Sequence, residues 1–338
     1  MPERKRVLLI NPMLHPLGED RLAQEVELIR LNNPDEARVV ETMKGVHGVV
    51  ANAGGHVTRR AIMTADRLAV IAVAGAGYDR VDLEAATERG IPVVNNTGLG
   101  PIPVAEHAIG MMIALAKDFR RADRMLRQEG WRARAHYLGE AMGLELNELT
   151  LGIIGLGHIG SLTAKKCIAA FDMRVLAYDP YVSADQMRAM GVTKVDRLLE
   201  MLPQCDFVTI HAPHTTETHH IIGRQALRTM KPTAYLINCA RGPLVDTGAL
   251  AEALQSGFIA GAGIDVFDPE PAPADHALLG LENALLTPHV AGITTATVKK
   301  LALGAAKQVL QVLRGERPPR LVNPEIWDQF RERHPQAR

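Results

Sequence analysis

Short apolar, β-branched runs alternate with helical patterns along nearly the whole chain. The first series of strand-like runs is Val7–Asn11, Gly48–Ala51, Val70–Ala74 and Pro92–Asn95. A second series comprises Leu151–Ile154, Arg174–Tyr178, Phe207–His211, Tyr235–Asn238 and Ala262–Val266. Helical segments such as Ala164–Ala170 and Asp246–Ser256 fall between them. Alternation of this kind predicts parallel sheets covered by helices. Two series predict an α/β protein of two doubly wound parallel-sheet domains. Between them lies a long helical stretch, Val104–Gly130, apolar at its start (Ala108, Met111, Met112, Leu115) and charged at its end (Arg120, Arg121, Asp123, Arg124). Pro101 and Pro103 precede it, as expected near a helix start. A second long helix, Thr294–Arg314, follows the second series and stops at Gly315 and Pro318. If it packs back on the first domain, that domain is built from both chain ends, residues 1–101 with 293–338, and encloses a second domain at 102–292.

Composition narrows the class. Of 338 residues, 47% are hydrophobic and 22% charged, ordinary for a globular protein with a large core. Lys+Arg and Asp+Glu are both 38, so no basic footprint for nucleic acid or a membrane surface is expected. The longest apolar run, Ala108–Ala116, is far shorter than the roughly 18 residues of a membrane span. Three widely spaced cysteines, Cys167, Cys205 and Cys239, form no CxxC or Cys/His metal pattern. Together with the short N-terminal apolar run Val7–Ile10, they predict a reduced, cytoplasmic setting and no metal.

The strongest motif is Gly155-x-Gly157-x-x-Gly160. It follows a strand-like run, opens a helix, and is followed about 20 residues on by an acidic strand end, Asp179, which completes a dinucleotide-binding arrangement. Gly155 allows the tight turn, Gly157 leaves the backbone bare for pyrophosphate, and Gly160 lets helix and strand approach. The helix start, with His158 and Ile159, offers unpaired N–H groups and a partial positive charge to phosphate. Asp179 can accept both adenosine ribose hydroxyls but repels a 2′-phosphate. Pro180 and Tyr181 follow it with no Arg, so NAD is expected rather than NADP.

Hydride transfer to a 2-oxo acid would need a cation for the carboxylate, a proton donor for the carbonyl oxygen, and a carboxylate to keep that donor charged. Arg, His and Asp or Glu suit these tasks. Arg241, Asp265, Glu270 and His289 all lie in or just past strand-like runs of the second series. Ligands of open α/β sheets bind at such carboxyl ends. With 13 histidines in the chain, His107, His211 and His214 compete for the acid role.

Four segments in order resemble the signatures of the D-isomer-specific 2-hydroxyacid dehydrogenases. They are Gly155–Gly160; Asn238–Asp246; Gly263–Phe267 with Glu270 and Pro271; and Thr287–Gly292. Gly75–Asp79 and Val104–His107 are similar to that family too, so the resemblance covers nearly the whole chain. It implies a Rossmann NAD-binding domain inserted in a flavodoxin-like catalytic domain. It implies Arg241 as anchor of the substrate carboxylate and carbonyl, His289 as general acid/base, and Glu270 as its partner. His211, Pro213, Ala240 and Asp265 become cofactor contacts, Asp265 toward the nicotinamide carboxamide. Gly75, Ala76 and Gly77 would offer backbone N–H groups to the substrate carboxylate. The partner is then a small 2-oxo or 2-hydroxy acid, and the assembly a homodimer paired near the helix from Val104.

Members acting on phosphorylated substrates often carry an Arg near the end of the first domain's second strand, and Val49–Gly55 has none. Gly139–Leu146 reads like an insertion beside the pocket. Two rival readings are a formate- or phosphite-type dehydrogenase, against which Glu270 argues, and an NAD-sensing corepressor-like binding protein, which could keep the same residues.

Overall fold

The structure, a computed structural model, describes residues 4–52, 55–139 and 142–333. The chain divides into two compact units, Met1–Gly100 with Ile293–Arg338, and Pro101–Gly292. Every strand pair in both sheets is parallel.

The first unit holds β1 (Arg6–Leu9), α1 (Pro16–Ala23), β2 (Glu27–Arg30), α2 (Glu36–Thr42), β3 (Gly48–Ala51), α3 (Arg59–Thr64), β4 (Val70–Val73), α4 (Leu83–Glu88) and β5 (Val93–Val94). Its sheet runs β2-β1-β3-β4-β5, the flavodoxin-like order. Val7, Leu8, Val49, Val50, Val70 and Ile71 are all fully buried, as expected of parallel strands covered on both faces. The helices begin at side-chain caps: Asp35, Thr58 and Asp82 each accept the N–H three residues on. Strand β2 escaped the sequence pattern because Glu27 and Arg30 flank only two apolar residues at a sheet edge.

Unit 2 contains α5 (Pro101–Ala116), α6 (Phe119–Glu129), α7 (Ala133–Gly139), β6 (Thr150–Ile154), α8 (His158–Phe171), β7 (Arg174–Tyr178), α9 (Ala184–Ala189), β8 (Thr193–Lys194), α10 (Leu198–Met201), β9 (Phe207–Ile210), α11 (Arg224–Thr229), β10 (Tyr235–Asn238), α12 (Thr247–Gln255), β11 (Gly261–Ile264) and β12 (Ala284–Leu286). Its sheet order is β12-β11-β10-β9-β6-β7-β8. The chain winds outward from β6 in both directions, so the topological switch lies between β6 and β9, where doubly wound sheets bind nucleotides.

The long helix expected over Val104–Gly130 is two helices. Asp118 adopts a left-handed backbone (φ 50°), which ends α5 and redirects the chain into α6. Helix α5 buries Ala105, Ala108, Met111 and Met112, whereas α6 buries no residue. The Gly139–Leu146 segment includes residues 140 and 141, which lie outside the described residues, as do residues 53 and 54 of Val49–Gly55.

Past unit 2 the chain returns to the first unit through α13 (Thr295–Leu313) and α14 (Trp327–Arg333). Thr294 caps α13 and Arg314 ends it, the bounds the apolar pattern predicts. A Cβ at Gly18 of α1 would come within 2.9 Å of the Ala302 Cβ of α13, so glycine is what lets these helices touch. Asn323 Oδ1 accepts the Val93 N–H (2.8 Å), and Asn323 Nδ2 donates to the Ile91 carbonyl (3.0 Å). The returning segment thus satisfies the β5 edge.

Candidate active site

At the switch point, β6 runs into Gly155, whose φ of +88° is left-handed and whose Cβ would strike the Ala212 backbone after β9. Only glycine suits both demands. A Cβ at Gly160 would collide with the Gly155 carbonyl, so α8 can sit this close to the turn only without one. At Gly157 a Cβ would meet no heavy atom within 4 Å. The protein's own packing does not require glycine there; a backbone left bare for a phosphate does. Gly157 caps α8 with no side-chain hydrogen bond, and the first-turn N–H groups of His158, Ile159 and Gly160 are those a helix leaves unpaired. These features fit a pyrophosphate at the start of a 14-residue helix.

Asp179 sits just past β7. Its Oδ2 accepts the Leu156 N–H (2.8 Å) and its Oδ1 the Tyr181 N–H (2.9 Å). The carboxylate is tied to the glycine turn, and each oxygen keeps a lone pair for a ribose hydroxyl. The Tyr181 hydroxyl donates to Glu217 Oε2 (2.9 Å).

Arg241 follows β10 on a loop braced from two sides. Asn238 Nδ2 donates to the Arg241 carbonyl (2.8 Å), and Asn238 Oδ1 accepts the Ala240 N–H (3.0 Å). A Cβ at Gly242 would overlap the Phe267 backbone, so this loop packs directly on the one leading to Glu270. Neither Asn238 nor Gly242 was singled out from sequence; their place beside Arg241 was the available signal.

Glu270 Oε1 accepts the Phe267 N–H (3.0 Å), and its Oε2 lies 2.9 Å from His289 Nδ1. A carboxylate only accepts, so Nδ1 carries the proton and Nε2 is the nitrogen that can give or take one. The His289 side chain is 47% exposed, open to a substrate, while that of Glu270 is 21% exposed. His289 has a left-handed backbone (φ 53°), held by its N–H donating to the carbonyls of Asp265 (2.7 Å) and Thr287 (3.1 Å). Such strain at a reactive group persists only where its surroundings over-determine it.

The competing histidines are placed differently. His211 follows β9 with Nε2 3.1 Å from Thr209 Oγ1, and its Nδ1 is buried without a hydrogen-bond partner. Burial pushes its pKa down to about 4, so it is neutral at physiological pH and cannot serve as the acid. His214 Nε2 meets His219 Nδ1 at 3.2 Å on an exposed loop that begins at Ala212 and Pro213. His107, on α5, approaches Thr287 Oγ1.

Asp265 is fully buried after β11. Its Oδ1 accepts from Thr287 Oγ1 (2.6 Å) and Val290 N (2.8 Å), and its Oδ2 from Ala291 N (2.9 Å). The carboxylate grips the residues on both sides of His289, a task its sequence position did not reveal.

On the first unit, Gly75–Gly77 turns after β4. Asn96 N donates to the Gly75 carbonyl (2.8 Å) and Asn95 Nδ2 to that of Ala76 (2.7 Å). Among the described residues, no acceptor takes the N–H groups of Gly75, Ala76 and Gly77.

Unit 2 is therefore a dinucleotide-binding α/β domain carrying a histidine–carboxylate pair and an arginine at its strand ends. Residues 109–291 match the model of the D-isomer specific 2-hydroxyacid dehydrogenase NAD binding domain. The chain is 40% identical over 311 residues to a D-3-phosphoglycerate dehydrogenase of Methanocaldococcus jannaschii, covering 91% of this chain and 58% of that protein. A glyoxylate reductase of Korarchaeum cryptofilum is 38% identical over 293 residues, 87% of each chain. Among solved structures, a protein of Thermus thermophilus superposes with a TM-score of 0.85 at 36% identity, covering 94% of this chain and 99% of that one. The chain belongs to the D-isomer specific 2-hydroxyacid dehydrogenase family, and spans a little over half the length of the phosphoglycerate dehydrogenase it matches.

Proposed function

We propose that the protein is an NAD-dependent oxidoreductase that transfers a hydride between NAD(H) and a small D-2-hydroxy acid or its 2-oxo partner. The observation that carries this reading is the 2.9 Å His289–Glu270 pair, on the same sheet edge as the glycine turn and the Arg241 loop. When bound, NADH supplies a hydride to the carbonyl carbon. Arg241 clamps the substrate carboxylate and polarises the carbonyl, the task for which a planar five-donor fork is suited. Protonated His289 gives its Nε2 proton to the carbonyl oxygen. Glu270 fixes the ring and stabilises the imidazolium before transfer. Developing charge on the oxygen is met by Arg241 and His289 together. In the first unit by itself, the N–H groups of Gly75, Ala76 and Gly77 are of the kind that hold a carboxylate. Asp179 selects NAD over NADP, and Ala240, His211, Pro213 and Asp265 complete the cofactor contacts.

The test is NADH oxidation followed at 340 nm against glyoxylate, hydroxypyruvate, phosphohydroxypyruvate, pyruvate, oxaloacetate and a branched 2-oxo acid. Turnover of one, lost in Arg241→Ala and weaker with NADPH, is the expected result. NADH binding without turnover of any would overturn the dehydrogenase reading.

We further propose a homodimer. Helix α6 buries none of its own residues, and Phe119, Leu126, Trp131 and Leu138 are at least half exposed. Light scattering should return twice the 36.8 kDa chain mass, and Phe119→Glu with Leu126→Glu should return the monomer. A reducing, cytoplasmic setting is supported by three buried, unpaired cysteines, with burial pushing the Cys167 and Cys205 thiols up to about 12. Among the described residues no helix is long and apolar enough to cross a membrane.

A further inference from the structure

The Asp265 carboxylate is fully buried, and its three hydrogen-bond donors, Thr287 Oγ1, Val290 N and Ala291 N, are all neutral. A buried charge needs more than this to offset its lost hydration. Among the described residues, the one ionisable base within ion-pair reach is His107, with Nε2 3.7 Å from Asp265 Oδ1. Between them stands Thr287, whose Oγ1 lies 2.6 Å from Asp265 Oδ1 and 3.0 Å from His107 Nε2. The threonine hydroxyl has one proton. The carboxylate can only accept, so that proton points to Asp265, and Thr287 can only accept from His107. His107 Nε2 therefore carries a hydrogen, and the chain runs His107 Nε2–H to Thr287 Oγ1–H to Asp265. Linked donors of this kind polarise and strengthen one another. Asp265 in turn grips the N–H groups of Val290 and Ala291, next to the strained His289 backbone.

We propose that His107 is a positioning residue: as the terminal donor of this chain it locks the Thr287–Ala291 loop and so sets where His289 presents its Nε2. The inference rests on His289 being the acid/base of the reaction proposed above. Three hydrogen bonds in series, His107 to Thr287, Thr287 to Asp265 and Asp265 to the Val290 and Ala291 amides, connect helix α5 to the residues beside His289.

The experiment combines turnover with site-resolved amide exchange. His107→Leu removes the donor, His107→Gln retains an N–H at similar reach, and Thr287→Val breaks the same chain at its middle. A misplacement near 1 Å lowers rates about 100-fold. His107→Leu and Thr287→Val should therefore each lower kcat about 10- to 100-fold with little change in KM, and Val290 and Ala291 amides should exchange about 10-fold faster. His107→Gln should stay within about 3-fold of the parent in both readouts. Because both residues act through one chain, the double variant should be no worse than Thr287→Val alone. Unchanged exchange at Val290 and Ala291 in His107→Leu would overturn the proposal, and so would a Gln variant as impaired as the Leu variant at equal thermal stability. If the parent protein reduces no 2-oxo acid, the functional reading fails, while the exchange measurement still decides whether His107 holds the loop.

Discussion

The ends of β9 and β12 carry the same residue type on the same edge of one sheet, with opposite consequences. Past β12, His289 is half exposed, strained in its backbone and bonded to a carboxylate. At the end of β9, His211 has its Nδ1 buried and unpartnered and its pKa pushed down to about 4. Neighbours, not residue identity, decide which imidazole handles a proton. One stands open to solvent with its Nδ1 hydrogen-bonded to a carboxylate. The other is held neutral beside the glycine turn, where it shapes the nucleotide crevice without adding charge.

The largest effect should come from removing the imidazole proposed as acid/base. His289→Ala should lower kcat about 1,000- to 10,000-fold while NADH binding, measured by fluorescence, stays near the parent value. His211→Gln, by contrast, should leave more than a tenth of kcat, and a comparable loss in both variants would erase the contrast. Glu270→Gln keeps the shape of the pair but removes its charge, and should lower kcat about 10- to 100-fold. Fully retained turnover would mean that His289 needs no carboxylate.

The His211 end of the comparison is read in stability. An unfolded chain takes up a proton there near pH 6.5, whereas the folded protein resists until about pH 4. Stability from this residue is thus complete above pH 6.5 and is lost as pH falls toward 4, by an amount of order 3 kcal/mol. Urea titrations of His211→Gln should show a shallower acid loss than the parent over that window; parallel curves would show the ring is not desolvated. The smallest effect concerns a third strand end, Asp179 at β7. Asp179→Ala should raise the NADPH-to-NADH ratio of kcat/KM about 10-fold, about 1.4 kcal/mol. An unchanged ratio would place cofactor choice elsewhere.

Much of this was legible beforehand. The glycine spacing, the acidic strand end and the β-branched runs each answer to local rules, so the dinucleotide turn and the α/β class could be read from the chain, whereas the switch point needed the strand order. Strands with few apolar residues could not: β2 is flanked by charge, and β8 is only Thr193–Lys194. The break at Asp118 is invisible because nothing in a Lys-Asp pair announces a left-handed backbone. At the site, residue types were readable and pairings were not. Glu270 and His289 are 19 positions apart, and only folding shows them 2.9 Å from each other. The burial that excludes His211 as acid, and the grip of Asp265 on Val290 and Ala291, are likewise products of packing.

The first unit's discontinuity has a consequence for synthesis. Its core joins Val7, Leu22 and Val70 to Ala302, Val309 and Leu313, so nearly 200 intervening residues leave the ribosome before that core can close. Unit 2 has all its strands earlier and can fold first, while the opening five strands wait without their last helix. Pairings of such long sequence separation are slow, and their exposed edges invite aggregation. Released chains truncated after residue 292 should therefore present a protease-resistant nucleotide unit and a protease-sensitive amino-terminal third.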